Sequence, residues 1–328
     1  MRNTMIGLVV ALTSFGCDGT SPPGGDGGSS GGGDLTVILE AEDTITAGIE
    51  AGATGEAIQD GWSVTFDRYV VVIGGIAVAF STDPSVTASA PELYAVDLVA
   101  APEAGLPLWS IPGLDGGRWE LGYRIGTASE ATLRHDSVTP TELEEMTAGG
   151  WTYLIEGAMA QAGGQSCPPA ALATPGGATP NGNTNAGGDA CYDAPSIVFR
   201  WGLTAPTSFG PCEIDATPGF AITEGSTTTV AATIHGDHVF FNGFPESTES
   251  SVMRLAQWLA DCDLDLDGTV TREELEAIAP ADLAELDARF ELGGSPVTPL
   301  VTMWDYVSAQ VKTQGHFQGE GECAIGPG

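Results

Sequence analysis

The chain has 328 residues and carries 44 acidic against 10 basic side chains, a net charge of −34. Such a field repels phosphate backbones and anionic headgroups, so it argues against nucleic-acid binding and charge-held membrane attachment, and it draws cations. Hydrophobic residues are 42%, and glycine with proline is about a fifth of the chain, below the level of low-complexity disorder, so a packed core can form.

Residues 1–16 begin with one positive charge, Arg2, continue through an apolar run at 5–12 and end on small residues. The run is shorter than the ~20 residues that a spanning helix needs. Its order is that of a secretory signal peptide. Gly16-Cys17 resembles the lipobox of bacterial lipoproteins, with Ser14 where that family prefers Leu. The resemblance implies cleavage before Cys17 and lipid on its thiol; an ordinary signal peptide cleaved nearby is the alternative. Residues 17–34 then read as the lipidated cysteine and a Gly/Ser/Pro tether with nothing apolar to pack. The expected location is the cell envelope, at the outer membrane or cell surface, with the lipid as the sole membrane contact.

From residue 35 the pattern is one of strands. Short runs rich in Val, Ile, Thr and aromatics stand at 35–40, 62–73, 76–80, 93–99, 106–111, 119–125, 151–157, 197–203 and 227–234, separated by Gly, Pro, Asp or Ser. The apolar stretch 69–80 is split by Gly74-Gly75 and reads as two buried strands around a tight turn. Strands without intervening helices predict a mainly β fold, an antiparallel Greek-key-like β-sandwich over residues 35–245. One helix is predicted inside it, opening at Thr139-Pro140-Thr141-Glu142 and stopped by Gly149-Gly150. The succession YAVDLV, PLWSIPGL, GRWELGYRI resembles the envelope β-sandwich domains of the prealbumin-like type over roughly residues 35–160. That resemblance implies a fold and carries no site residues. Residues 161–190 are a low-complexity insertion, which belongs at the surface.

After residue 246 the predicted elements are helical: 247–260, 272–279, 281–292 and 299–312. Between the first two lies DLDLDGTVTREE, residues 263–274. Three alternating aspartates, a glycine and a glutamate in this register offer hard oxygen ligands that suit Ca²⁺ better than Mg²⁺. The stretch resembles the EF-hand calcium loop. By that resemblance Asp263, Asp265, Asp267 and Glu274 supply carboxylates, Thr269 a backbone carbonyl, and Thr271 an oxygen directly or through water. Gly268 makes the sharp turn and Val270 pins the loop to a neighbour. A dockerin-like module would need a second loop, and the sequence has one. A lone loop needs a substitute neighbour, expected from the sandwich or the last helices, and acts as a structural staple more readily than as a sensor. The C-terminal region, 246–328, is therefore read as a helical EF-hand segment and tail.

His235-Gly236-Asp237-His238 at a strand exit is a second metal candidate. Two imidazoles flanking a carboxylate can chelate zinc or copper if a third ligand arrives, and His135 is one source of it. No HExxH, GxSxG or phosphate-loop element is present, so no enzyme is predicted. With Cys17 lipidated, five cysteines remain. The preferred pairs are Cys167–Cys191, which closes the low-complexity loop, and Cys262–Cys323, which leaves Cys212 free. The function these features predict is a non-catalytic calcium-binding envelope lipoprotein. The alternatives are a transition-metal protein using His235, Asp237 and His238, and a calcium-dependent adhesion or carbohydrate-binding module with an unidentified protein or glycan partner.

Overall fold

The computed structural model describes residues 32–244 and 252–328. The signal segment, Cys17 and the tether up to residue 31 lie outside them, as do residues 247–251 of the first predicted C-terminal helix; Gly33 and Asp34, read as the end of the tether, open the first strand. Residues Gly32–Gly328 form one compact unit. In chain order its elements are β1 (Gly33–Ala41), α1 (Asp43–Thr46), β2 (Ser63–Phe80), β3 (Asp83–Asp97), β4 (Leu106–Leu114), β5 (Gly117–Ile125), β6 (Leu133–Arg134), α2 (Pro140–Gly149), β7 (Tyr153–Ala160), β8 (Gln165–Ser166), β9 (Tyr192–Asp193), β10 (Ser196–Leu203), β11 (Thr207–Ile214), β12 (Thr217–Pro218), β13 (Phe220–Ile222) and β14 (Thr227–Ile234). They continue with α3 (Gln257–Asp261), β15 (Thr269–Val270), α4 (Arg272–Ala277), α5 (Pro280–Leu286), α6 (Met303–Gln310), β16 (Gly315–Phe317) and β17 (Glu322–Pro327).

The fold is mainly β, as the strand-rich sequence predicts. One sheet has four strands in the order β16-β14-β1-β4. A second has eleven, with β12-β11-β5-β2-β7-β10-β15 as its spine, and β8 and β9 form a separate two-stranded sheet. Pairing is antiparallel except at β1–β14, β10–β15 and β3–β6. The parallel β1–β14 ladder departs from the antiparallel expectation. The two strands are separated in sequence by the whole of β2 to β13, so no hairpin dictates their direction. Alternation does the packing: Leu35, Val37 and Leu39 of β1 share one apolar core with Val64, Phe66, Val71 and Ile73 of β2. The opposite face of β2 buries Val70 and Val72 in a smaller cluster that Met146 of α2 covers. That helix starts on a reciprocal capping box between Thr139 and Glu142. Arg68 ties it to the sheet, reaching Glu142 at 2.5 Å and Asp97 at 2.6 Å.

Several elements differ from expectation. The predicted turn at Gly74-Gly75 is a bulge inside one 18-residue strand, with the register against β3 shifting between Gly74 and Ile76. A Cβ on Gly74 would stand 2.0 Å from the Glu92 carbonyl oxygen, so these glycines let β3 approach closely. Among the described residues of the helix predicted over 247–260, helix runs from Gln257. Asp60 takes the N–H groups of both Ala256 and Gln257 at 2.8 Å, and Arg254 is still in β-bridge pairing with Ile58 and Phe241. The 246–328 segment is more than helical, because β16 joins the four-stranded sheet while β15 and β17 join the large one.

Cys167 and Cys191 are disulfide-bonded, as expected. The second bridge joins Cys212 to Cys323 and replaces the expected Cys262–Cys323 pair. Antiparallel pairing of β11 with β17 sets Cys212 opposite Cys323. Cys262 is the buried free thiol, pushed well above its ordinary value by burial and by the neighbouring Asp261 and Glu274. Two disulfides are those of a chain that folds in an oxidising, extracytoplasmic compartment.

Candidate metal centres

The acidic loop lies between α3 and α4 at the edge of the large sheet. Its Thr269–Val270 pair lies parallel to Val198 and Phe199 of β10, and Val198 N–H donates to the Gly268 carbonyl at 2.9 Å. Val270 is fully buried, and its carbonyl accepts from Trp201 Nε1 at 3.0 Å. The strand neighbour of this single loop is therefore β10. Winding is tight: Gly268 has φ +86, and Leu266 adopts φ +62, a conformation that costs a residue with a Cβ.

Inside the loop the carboxylates turn toward the backbone. Asp263 accepts from Asp267 N–H at 3.2 Å and from Gly268 N–H at 3.0 Å. Glu274 reaches back to accept from Leu264 N–H at 2.8 Å, while its other oxygen takes the Thr271 N–H and hydroxyl, each at 2.8 Å. Asp263, Asp265 and Glu274 each place a carboxylate oxygen within 4.8 Å of the other two. Asp267 stands outside this trio and accepts from Thr269 N–H at 2.7 Å. Thr271 caps α4 through its side chain. Burial first, then the neighbouring acids, pushes the Asp263 carboxyl up to about 6.

The insertion at 161–190 is built against this region. Thr174 N–H donates to the Leu264 carbonyl at 2.7 Å, and Cys167 N–H donates to Asp261 at 2.8 Å. Burial pushes the Asp261 carboxyl from 3.8 up to about 7, against the lowering effect of the hydrogen bonds from Cys167 N–H and the Gln257 side chain. The group takes up a proton on folding between these values. Its contribution to stability is full below the lower value and is lost as pH rises through about 7. Asp261→Asn is therefore expected to flatten the fall in melting temperature between pH 5 and 7. Equal slopes for variant and wild type in a pH series of thermal melts would rule this assignment out.

The histidines form a different constellation. His235 follows β14, His238 sits in the 3₁₀ turn Asp237–Phe240, and His316 is the middle residue of β16. Because β16 pairs antiparallel with β14, Thr233 stands opposite His316, and His235 N–H donates to the Gln314 carbonyl at 3.1 Å. All three imidazoles are buried, and each offers a nitrogen within 4.8 Å of the other two. The His235 and His316 rings stack with centroids 4.0 Å apart, and His238 stands edge-on to His316 at 5.3 Å. Glu42, which follows β1, places Oε1 3.5 Å from His235 Nδ1. Burial, with Asp237 adding to it, pushes the Glu42 carboxyl up to about 7.

This grouping differs from the expected set of His235, Asp237 and His238 with His135 as a third source. Asp237 is buried and taken by Arg254, whose Nε and Nη2 each lie 2.5 Å from Oδ2. His135 lies beside the edge strand β6, with Nδ1 2.9 Å from the Ser137 hydroxyl. The third imidazole is His316, which sequence reasoning missed because nothing local announces that a three-residue strand 80 residues downstream will pair with β14. Glu42 and Glu320 were missed for the same reason.

No protein-family model matches the chain, and no curated protein or solved structure matches it either.

Proposed function

We propose that the chain is an exported, non-catalytic calcium-binding protein of the cell envelope, held to a membrane by lipid on Cys17. In this reading the four-stranded and the large sheet are the faces of a sandwich, and residues 263–274 are an EF-hand-type loop that takes one Ca²⁺. The observation that carries it is the convergence of Asp263, Asp265 and Glu274 within 4.8 Å in a loop whose strand pair is docked on β10. Thr269, through its carbonyl, Asp267 and Thr271 complete the oxygen set that such a loop needs. The ion would then staple the helical segment to the sheet edge, which is a structural role. The glycan-binding alternative needs an exposed aromatic platform. None of the seven tryptophans is exposed, and Trp62, Trp109, Trp119, Trp201 and Trp258 are core residues.

Calorimetric titration of the chelator-treated protein is expected to show one Ca²⁺ per chain, with Kd of about 10⁻⁴–10⁻³ M, the range of extracellular modules. At a hundredfold excess over Kd the ion should add about 2.7 kcal/mol of stability. Asp263→Asn and Glu274→Gln should each abolish both signals. A melting temperature that ignores both excess calcium and EGTA would refute the proposal.

A further inference from the structure

We infer that His235, His238 and His316 form a second metal site, selective for a borderline divalent transition ion of the zinc or copper class and independent of the acidic loop. Three neutral imidazoles are the donor set that such ions prefer over calcium. All three residues are at most 4% exposed, and they come from segments bound to one another through the β14–β16 ladder. Around a tetrahedral ion with bonds of about 2.0–2.1 Å, ligand nitrogens stand roughly 3.3 Å apart, so closure needs side-chain adjustments of about an ångström.

The surroundings fix which nitrogen carries the proton in two of the rings. The Thr313 hydroxyl donates its one proton to the Gln310 carbonyl at 2.7 Å, so toward His238 Nδ1, also at 2.7 Å, it accepts. His238 therefore carries its proton on Nδ1, and in the neutral ring the lone pair is on Nε2. His235 Nε2 lies 3.2 Å from the Gly319 carbonyl, which only accepts, so the neutral His235 ring keeps its lone pair on Nδ1. That nitrogen faces Glu42. His235 also belongs to a second trio with Glu42 and Glu320, whose ligand atoms again lie within 4.8 Å of one another. These carboxylates bring negative charge to the rim of the imidazole cluster and favour a divalent ion there. Arg254 holds Asp237 through Oδ2 in the same corner.

The test uses the full chain, stripped with chelator and titrated separately with Zn²⁺ and Cu²⁺. One ion per chain is expected, with affinity falling more than about 100-fold in His316→Ala and in His238→Ala, since even an outer partner of a ligand is worth about 10–100-fold. Thr313→Val, which removes only the group that orients His238, should cost about 10–100-fold. Glu274→Gln should leave this titration unchanged, and His316→Ala should leave the calcium titration unchanged, so the two sites succeed or fail separately. X-ray absorption on the loaded wild-type protein covers the case of a variant that does not fold. Three imidazoles around the ion support the inference. A single imidazole among carboxylates would overturn it, as would wild-type protein that binds neither ion, or folded His316→Ala that binds as tightly as wild type.

Discussion

Removing the Cys212–Cys323 bridge is expected to destabilise the protein by about 4.8 kcal/mol, against about 3.4 kcal/mol for Cys167–Cys191. The two bridges close stretches with sequence separations of 111 and 24 residues. On the loop-entropy account, the longer closure removes more freedom from the unfolded chain. The location adds to the contrast. Residues 212–323 include β14, the histidine cluster, α3 to α6 and the acidic loop, and the bridge sits where β17 completes the pairing of β11. The shorter bridge closes only the surface insertion. Urea titrations of Cys212→Ser/Cys323→Ser and Cys167→Ser/Cys191→Ser would give the two costs. A larger loss for the second pair would show that the insertion contributes more than its loop length implies, and the entropic account would fail here.

Arg254→Met is expected to cost about 3–5 kcal/mol, because it strands a buried carboxylate without its counter-charge. Asp237 is completely buried, and both nitrogens that meet its Oδ2 come from Arg254. The guanidinium also lies 5.0 Å over the Phe241 ring and donates to the Gly55 carbonyl at 3.2 Å. Losing it therefore loosens the join between the exit of β14 and the approach to α3. The double variant Arg254→Met/Asp237→Leu should recover much of the loss, since replacing a buried pair by apolar groups is often neutral. Denaturant midpoints for wild type, the single variant and the double variant would decide the matter. A single variant within about 0.5 kcal/mol of wild type, the range of an ordinary surface change, would show that the pair is not holding this corner.

What could be read from the residues in order was what neighbours in sequence decide. The short apolar run at 35–40 announced a strand, and Thr139 with Glu142 marked the start of a helix, because each signal spans only a few neighbouring residues. The cysteines that bracket the insertion pair as expected, being close in sequence and joined by a loop with no competing structure. The spacing from Asp263 to Glu274 likewise announces converging carboxylates, since one loop carries all of them. Tertiary structure alone decided the rest. Cys323 meets Cys212 rather than Cys262, His316 rather than His135 joins His235 and His238, and β10 covers Val270. Each of these depends on which distant strands lie side by side and in what register. One residue of slip in β16 would turn His316 to the other face of its sheet, and nothing near His316 in the chain specifies that register.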